Sequence, residues 1–396
     1  MDILDKIKPT EKEQITLDRR VNNFLGRLNT SLNNAKAMAG GSYAKNTWLR
    51  GNYDIDIFVK YRYSLRKQDI SKLLEKTLRK AFSKVTRIHG SRDYFHVKSG
   101  KYLFEVVPVL DIKRTERALN VTDVSPLHVE YVKKNANEKL KNEVRILKQF
   151  CKANSLYGAE SYIKGFSGYV TELLIIYYKS FDNLIKNATK WKEKQVIDPL
   201  KYYKNKEEIL RELNASKKYS PLILIDPVQK DRNAAAALSK EKFDLFITLA
   251  KEYLKNPSEI FFIEKEVAVN ELRGYTIIKV RPIRGKKDII GAKLLKDFEL
   301  IKNKLDEFEV IDAGWKWNNV AYFYFKTRKK KLSKYKRHFG PSRKHKEHLE
   351  NFKRKWKNYK FYYEKGRIYI NLKRKAVDIK GILKNIEIKN EILSIK

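Results

Sequence analysis

Apolar residues recur along the chain with two periods. Ile15, Val21, Phe24, Leu25 and Leu28 stand at helical spacing and predict a helix over residues 10–35, which the Gly40-Gly41 pair ends or follows. Ile55, Ile57 and Val59 alternate with Asp54, Asp56 and Phe58, the pattern of a strand from Asp54 to Lys60. Lys67 to Phe82 reads as an amphipathic helix through Ile70, Leu73, Leu74 and Leu78. Tyr94–Val97 and Tyr102–Val107 read as two strands joined through Ser99-Gly100, with Pro108 expected to close the second. A long helix is predicted from Asn137 to Ala153, with Leu140, Val144, Leu147 and Cys151 as its seam and Lys148 beside it. Gly165-Phe166-Ser167-Gly168 leads into a buried helix, Tyr169 to Tyr178. Residues 192–218 are highly charged and read as a surface excursion. Pro221–Asp226 is a short apolar strand, and Ser239 can cap a helix running to Leu254, stopped by Asn256-Pro257. Beyond Phe261, short strands (Tyr275–Val280, Val320–Phe325, Arg367–Leu372) alternate with helices (Ala292–Leu305, His345–Trp356), suggesting one or two small α+β units. The fold class expected is α+β.

Composition narrows the partners. In 396 residues, 42% hydrophobic content suffices for a core, while 87 Lys and Arg against 47 acidic residues leave a net +40, an excess that points to a polyanion. An anionic membrane is the weakest candidate, because the longest apolar run, near Tyr169–Tyr178, falls well short of the roughly twenty residues a spanning helix needs. Met1–Lys6 opens acidic and polar, so no secretory leader is expected. The single cysteine, Cys151, excludes an intrachain disulfide and a cysteine zinc site, fits a reducing cytoplasm, and falls in a core register. No internal repeat is visible.

The strongest chemical signal is Gly41-Ser42 followed by Asp54-Ile55-Asp56-Ile57. On a strand, Asp54 and Asp56 point to one side, and two carboxylates one strand repeat apart call for a cation, naturally magnesium with phosphate oxygens. Glu105 is a carboxylate amid apolar residues; either it lies at an edge or it faces a metal, and the Asp54/Asp56 pair favours the metal. The Gly-Ser turn offers a backbone amide and a hydroxyl to a triphosphate, and Lys45 could add a point charge. Two metals about 3.5–4 Å apart on Asp54, Asp56 and Glu105 would activate a primer 3′-hydroxyl and neutralise the leaving pyrophosphate. By default, Asp-x-Asp is a solvated strand end, Lys148 a surface lysine, Tyr157 a packing aromatic and Arg232 a surface arginine, and His128 has no role legible from the pattern alone.

Gly41-Ser42-Tyr43-Ala44-Lys45 with Asp54-Ile55-Asp56, Glu105-Val106-Val107-Pro108, Asn142-Glu143-Val144-Arg145, Tyr157-Gly158-Ala159-Glu160, Gly165-Phe166-Ser167-Gly168-Tyr169, Asp226-Pro227-Val228 with Arg232-Asn233, and His338-Phe339-Gly340-Pro341 occur in one order over most of the chain. Together they resemble the archaeal, class I CCA-adding enzymes (tRNA nucleotidyltransferases). The resemblance implies template-independent addition of C, C and A to tRNA 3′ ends from CTP and ATP, with two Mg2+ ions. It implies metal-binding roles for Asp54, Asp56 and Glu105, triphosphate contacts for Ser42 and Lys45, further nucleotide contacts for His128, Lys148 and Tyr157, and base selection by Arg232. It implies a nucleotidyltransferase head with a mixed or antiparallel sheet (residues 1–135), a helical neck (136–258), and a basic α+β body and tail (259–396) that clamps the tRNA acceptor arm. The basic stretch Lys326–Lys346, with Lys329, Lys330, Lys331, Lys336, Arg337, His338 and Arg343, would hold the phosphates of that arm.

The chain departs from the family pattern where Asp54 stands for a frequent Glu, Glu105 for a usual Asp and Lys45 for a usual Arg; the last loses bidentate phosphate contact. It also looks short at the C-terminal end, which bears on tRNA grip more than on chemistry. The competing readings are an A-adding or partial CCA-adding transferase, a catalytically silent tRNA-binding protein, and a nuclease, which the triphosphate-type turn disfavours. A cytoplasmic enzyme without membrane attachment is expected. The oligomeric state stays open, with a homodimer as one candidate.

Overall fold

A computed structural model describes residues 3–264, 268–384 and 386–396. The chain divides into two compact units, Met1–Lys265 and Glu266–Lys396.

The first unit opens with helix α1 (Ile3–Ile7) and helix α2 (Glu11–Asn29), which starts at a capping box between Thr10 and Glu13. Strand β1 (Ala35–Ala39), the short helix α3 (Gly41–Ala44), strand β2 (Asp54–Tyr61), helix α4 (Ile70–Ala81) and strands β3 (Val85–Ile88), β4 (Tyr94–Ser99) and β5 (Tyr102–Leu110) follow. The strands form one mixed sheet in the order β1-β2-β5-β4-β3, in which β2 and β5 pair in parallel and the other neighbours antiparallel. Ile55, Ile57, Phe104 and Val106 project from one face of this sheet onto Leu17, Val21, Phe24 and Leu28 of α2 and Leu74 and Leu78 of α4. Phe58, Val107 and Val109 project from the other face and pack with Val129.

Two expectations need correction here. The helix predicted over residues 10–35 stops at Asn29, and β1 occupies the segment before Gly40. Pro108 does not close β5, which runs on beside β2 to Leu110. Pairing with β4 ends at Val106, and the Leu110 amide, two residues beyond Pro108, donates away from β2 to Asp123 Oδ1 at 2.8 Å. The missing N–H of Pro108 therefore falls on the side where no ladder bond is lost.

Helix α5 (Ser125–Asn135) leads to α6 (Glu138–Ala153), capped by Asn137, and α7 (Gly168–Tyr178), capped by Ser167. Helix α7, apolar apart from Thr171 and Glu172, is buried from Val170 to Ile176. With α8 (Phe181–Ala188) and α11 (Lys240–Lys255), they enclose a second core around Phe150, Cys151, Phe166, Leu174, Trp191 and Phe246. Residues 192–218, read from their charge as a surface excursion, are largely exposed but carry regular elements that pack through a few apolar side chains. Strand β6 (Gln195–Ile197) pairs in parallel with β7 (Leu222–Leu224), and α9 (Lys206–Glu212), followed by α10 (Ala215–Lys218), buries Ile209 beneath its charged face.

The second unit holds β8 (Thr276–Arg281), α12 (Lys287–Lys304), β9 (Val310–Trp317), β10 (Ala321–Thr327), β11 (Tyr335–Ser342), α13 (Lys346–Lys355), β12 (Phe361–Glu364), β13 (Arg367–Lys373), α14 (Ile379–Lys384) and β14 (Glu391–Ile395). They make two antiparallel sheets, β14-β8-β10-β9 and β11-β13-β12. The first covers a core of Ile278, Val280, Phe298, Ile301, Phe323 and Phe325. The architecture is α+β, as expected. Among the described residues, no helix is long and apolar enough to cross a membrane.

Candidate active site

The parallel register of β2 and β5 sets Asp56 directly beside Glu105. Since Ile55, Ile57, Phe104 and Val106 fill the core on one face, Asp54, Asp56 and Glu105 share the other. Strand β5 lies between β2 and β4, so Glu105 is not at a sheet edge. Its Oε2 sits 3.2 Å from His96 Nε2, its register partner on β4. Burial and the charges of Glu105 and Asp54 push the Asp56 carboxyl up to about 6, against the opposing pull of Lys45. This face thus carries more negative charge than the protein neutralises. Among the described residues, no three His, Cys, Asp or Glu side chains gather closely enough to hold an ion alone. An adjacent carboxylate pair with excess charge does fit magnesium, which takes one or two carboxylates and completes its shell with phosphate oxygens and water.

The start of α3 presses against Asp56. Gly40 N–H donates to the Asp56 carbonyl at 2.7 Å. Gly41 has φ +54°, and a Cβ built there would lie 1.6 Å from Asp56 Oδ2. Glycine is required both for the backbone conformation and for the approach. Ser42 follows directly, half-buried, its hydroxyl without a hydrogen-bond partner among the described residues.

Lys45 and Lys148 converge on an acid that the sequence reading missed. Glu172, fully buried on α7, accepts from Lys45 Nζ at 2.6 Å, Thr47 Oγ1 at 2.7 Å and Lys148 Nζ at 3.0 Å. Lys148 is no solvated surface residue: it is 2% exposed and also donates to the Thr47 carbonyl and hydroxyl. Burial would raise the Glu172 carboxyl, but the two ammonium groups override it and hold it low. Burial lowers Lys148, with Glu172 opposing. The available signal was a lone glutamate inside the otherwise apolar run of α7. Tyr157, half-buried, stands with its hydroxyl against Gly168 at the start of the same helix. Arg145 fastens the neighbouring loop, donating to the carbonyls of Trp48 and Asn46 at 3.1 and 2.7 Å and to the side chain of Asn142 at 2.7 Å.

His128 and Arg232 meet at a second acid, Asp226, which is also buried. His128 Nε2 lies 3.0 Å from Asp226 Oδ2, and Arg232 pairs with the same oxygen. Tyr169 Oη donates to Asp226 Oδ1 at 3.0 Å, and its ring stacks on His128 at 4.3 Å between centroids. Burial would raise the Asp226 carboxyl; the hydrogen bond and charge of His128 and the charge of Arg232 reverse this and hold it at about 2. Asp226 and Tyr169 lay within quoted motifs but had been given no role.

In the second unit, the basic residues of β11 and its approach are exposed but not all free. Lys329 pairs with Glu309 at 2.7 Å, Lys336 with Glu307 and Arg337 with Glu364 at 2.6 Å. Lys330 donates to the Gly274 carbonyl at 3.0 Å, and Lys331 forms a backbone bridge with Asp378. Arg343 lies over the ring of Tyr363 at 3.9 Å, and His338 stacks on Phe352 at 5.8 Å.

Residues 19–150 match the family model of the nucleotidyltransferase domain, 142–263 that of the tRNA nucleotidyltransferase second domain, and 273–393 that of the CCA-adding enzyme C-terminal domain. The CCA-adding enzyme of Nanoarchaeum equitans is 39% identical over 88% of this chain and 87% of its own length. That of Sulfolobus acidocaldarius is 33% identical over 97% and 89%. A solved structure of Cid1, described by its RNA terminal uridylyl transferase activity, superposes with a TM-score of 0.52 at 14% identity over 67% of this chain and 96% of that one, a likeness of fold. Three collinear domain matches and relatives of this identity, aligned over nearly the full length, place the chain in the family of archaeal CCA-adding enzymes.

Proposed function

We propose that the protein adds C, C and A to the 3′ end of tRNA without a nucleic-acid template, using CTP and ATP and releasing pyrophosphate. The observation that carries the site assignment is the in-register Asp56–Glu105 pair with the Gly41-Ser42 turn laid against it. Asp54, Asp56 and Glu105 would hold magnesium, two ions in this reading, which when bound would acidify the RNA 3′-hydroxyl and neutralise the triphosphate. The Gly41-Ser42 amide and the Ser42 hydroxyl bind the β- and γ-phosphates. Lys45 and Lys148, held in place by Glu172, supply positive charge behind them, and Tyr157 borders the same space. Asp226 fixes the guanidinium of Arg232 and the ring of His128, so that donors of set direction meet the edge of the incoming base. Preorganisation of this kind costs nothing at the moment of reaction.

In this reading residues 1–135 form the head, 136–258 the neck and 259–396 a body and tail. The exposed cations around β11 hold acceptor-arm phosphates there, trading carboxylate partners for phosphate as RNA arrives. The enzyme works in the cytoplasm.

The test is primer extension on a tRNA transcript ending at the discriminator base, with magnesium and CTP, ATP or both. Two additions with CTP and a third only with ATP present are expected. Addition of A alone, or none, would overturn the assignment.

A further inference from the structure

Arg20, Asn23 and Arg27 lie three and four residues apart along one face of α2. The Ser83-Lys84 segment after α4 and the Lys98-Ser99 end of β4 meet that face, and a cavity of about 320 Å³ opens between them. Four cations line it (Arg20, Arg27, Lys84 and Lys98) and, among the described residues, no carboxylate does. None of the four has an ion-pair partner among the described residues. On the same unit, Arg79 pairs with Glu75, Arg87 with Asp93, Arg92 with Asp123 and Lys60 with Asp111. Mutual repulsion of four unmatched charges around one concavity is relieved by an anion.

The floor argues for the kind of anion. Phe24 stacks between Phe82 and Phe104 at 4.5 and 4.0 Å, and the Arg27 guanidinium covers Phe82 at 5.0 Å. The ring faces are occupied, so a base has nothing to stack on. The side chains of Asn23, Ser83 and Ser99 add neutral polar groups to the wall. Cations with hydroxyl and amide groups suit phosphate oxygens. The cavity is also separate from the carboxylates. Val97 and Phe104 face it from the helix-bearing side of the sheet, while their chain neighbours His96 and Glu105 face the other side. A phosphate bound here is not the triphosphate of the reacting nucleotide.

We propose that this cavity binds phosphate groups of the RNA backbone, a point of grip on the sheet face opposite the carboxylates. The inference rests on the reading of RNA as substrate. It supplies sequence-independent affinity and no base selection.

The experiment is binding of a tRNA transcript to the full chain across a salt series, by anisotropy, for the wild type and for Arg20→Gln/Lys98→Gln. This pair leaves Arg27 on Phe82 and the core intact; equal melting temperatures check the fold. A parallel titration uses inorganic tripolyphosphate. The expected result is several-fold weaker tRNA binding near physiological salt and a salt slope shallower by about 1 per contact removed, with KM for CTP unchanged at saturating tRNA. Unchanged affinity and slope in the folded variant would overturn the site. A loss confined to tripolyphosphate would overturn the assignment to RNA. Binding needs no nucleotide addition, so a wild type that binds tRNA in this way but extends nothing would count against the proposed activity and not against the site.

Discussion

Lys148 Nζ donates to Glu172 Oε1 at 3.0 Å between two helices, α6 and α7, with 2% and 0% of the two residues exposed. Lys45 brings a second ammonium to the other carboxylate oxygen from the loop after the Gly41-Ser42 turn. One carboxylate therefore ties the loop between α3 and β2 to helices α6 and α7. Glu172→Ala leaves two buried ammonium groups facing an empty space, and is expected to cost about 3–5 kcal/mol in chemical denaturation. Combined with Lys148→Met, the cost should fall short of the sum by about 0.5–3 kcal/mol. Additive losses would show that the two residues do not share one network.

The contact between Gly41 and Asp56 sets up a paired test. Gly41→Ala and Gly51→Ala both place a side chain at positive φ, +54° and +81°. Each should cost about 1–2 kcal/mol from backbone strain. Only at Gly41 does the new Cβ meet an obstacle, the Asp56 carboxylate, whereas the space at Gly51 is open. Gly41→Ala should lower kcat/KM by about 100-fold or more, because a shift of about 1 Å in a reacting group has that effect. Gly51→Ala should leave it within a few-fold. Equal losses of activity would mean that Asp56 is not at the reaction centre.

Asp56 also separates function from stability. Its carboxylate is buried beside Glu105, and these effects outweigh the pull of Lys45, so the fold bears a cost for keeping it charged. Asp56→Asn is expected to abolish nucleotide addition while leaving the melting temperature equal to or above that of the wild type. Asp54→Ala/Asp56→Ala should also be inactive. Full activity in the double variant would remove these residues from the site.

Period-2 and period-3.6 patterns made β2, β4, β5 and most helices legible, because each of those signals is local. The parallel register that sets Asp56 beside Glu105 is a long-range pairing across α4 and two strands, and alternation within either strand says nothing of it. Strand β1 was missed because Ala-Lys-Ala-Met-Ala carries no β-branched or aromatic residue. Strand β6 and helix α9 were hidden by charge: Lys and Glu dominate residues 192–218, while Val196 and Ile209 do the packing. Asp54, Asp56 and Ser42 could be read from spacing. Glu172 and Asp226 could not, since each also depends on a partner far away in sequence: Lys45 lies 127 residues from Glu172, and His128 nearly a hundred from Asp226. Arg145 shows the converse, a motif residue whose visible work is to fasten a loop.

Asp226 makes a prediction about acid. Its carboxyl is held at about 2, below its ordinary 3.8, by His128 and Arg232 acting against burial. A depressed carboxyl contributes stability that is fully present above its unfolded pKa and is lost as pH falls through the folded one. The contribution of Asp226 should thus be complete above about pH 5 and shrink as the pH falls from near 4 towards 2. Asp226→Asn keeps the shape but cannot hold this charge. Denaturation of both proteins at a series of pH values should show a gap that is constant near neutrality and narrows steadily below pH 4. The same variant frees Arg232, so at neutral pH it should lose discrimination between correct and incorrect nucleotides more than it loses kcat. A stability gap that stays constant down to pH 2 would mean that Asp226 is not charged against His128 and Arg232 in the folded protein, and the loss of discrimination would need another cause.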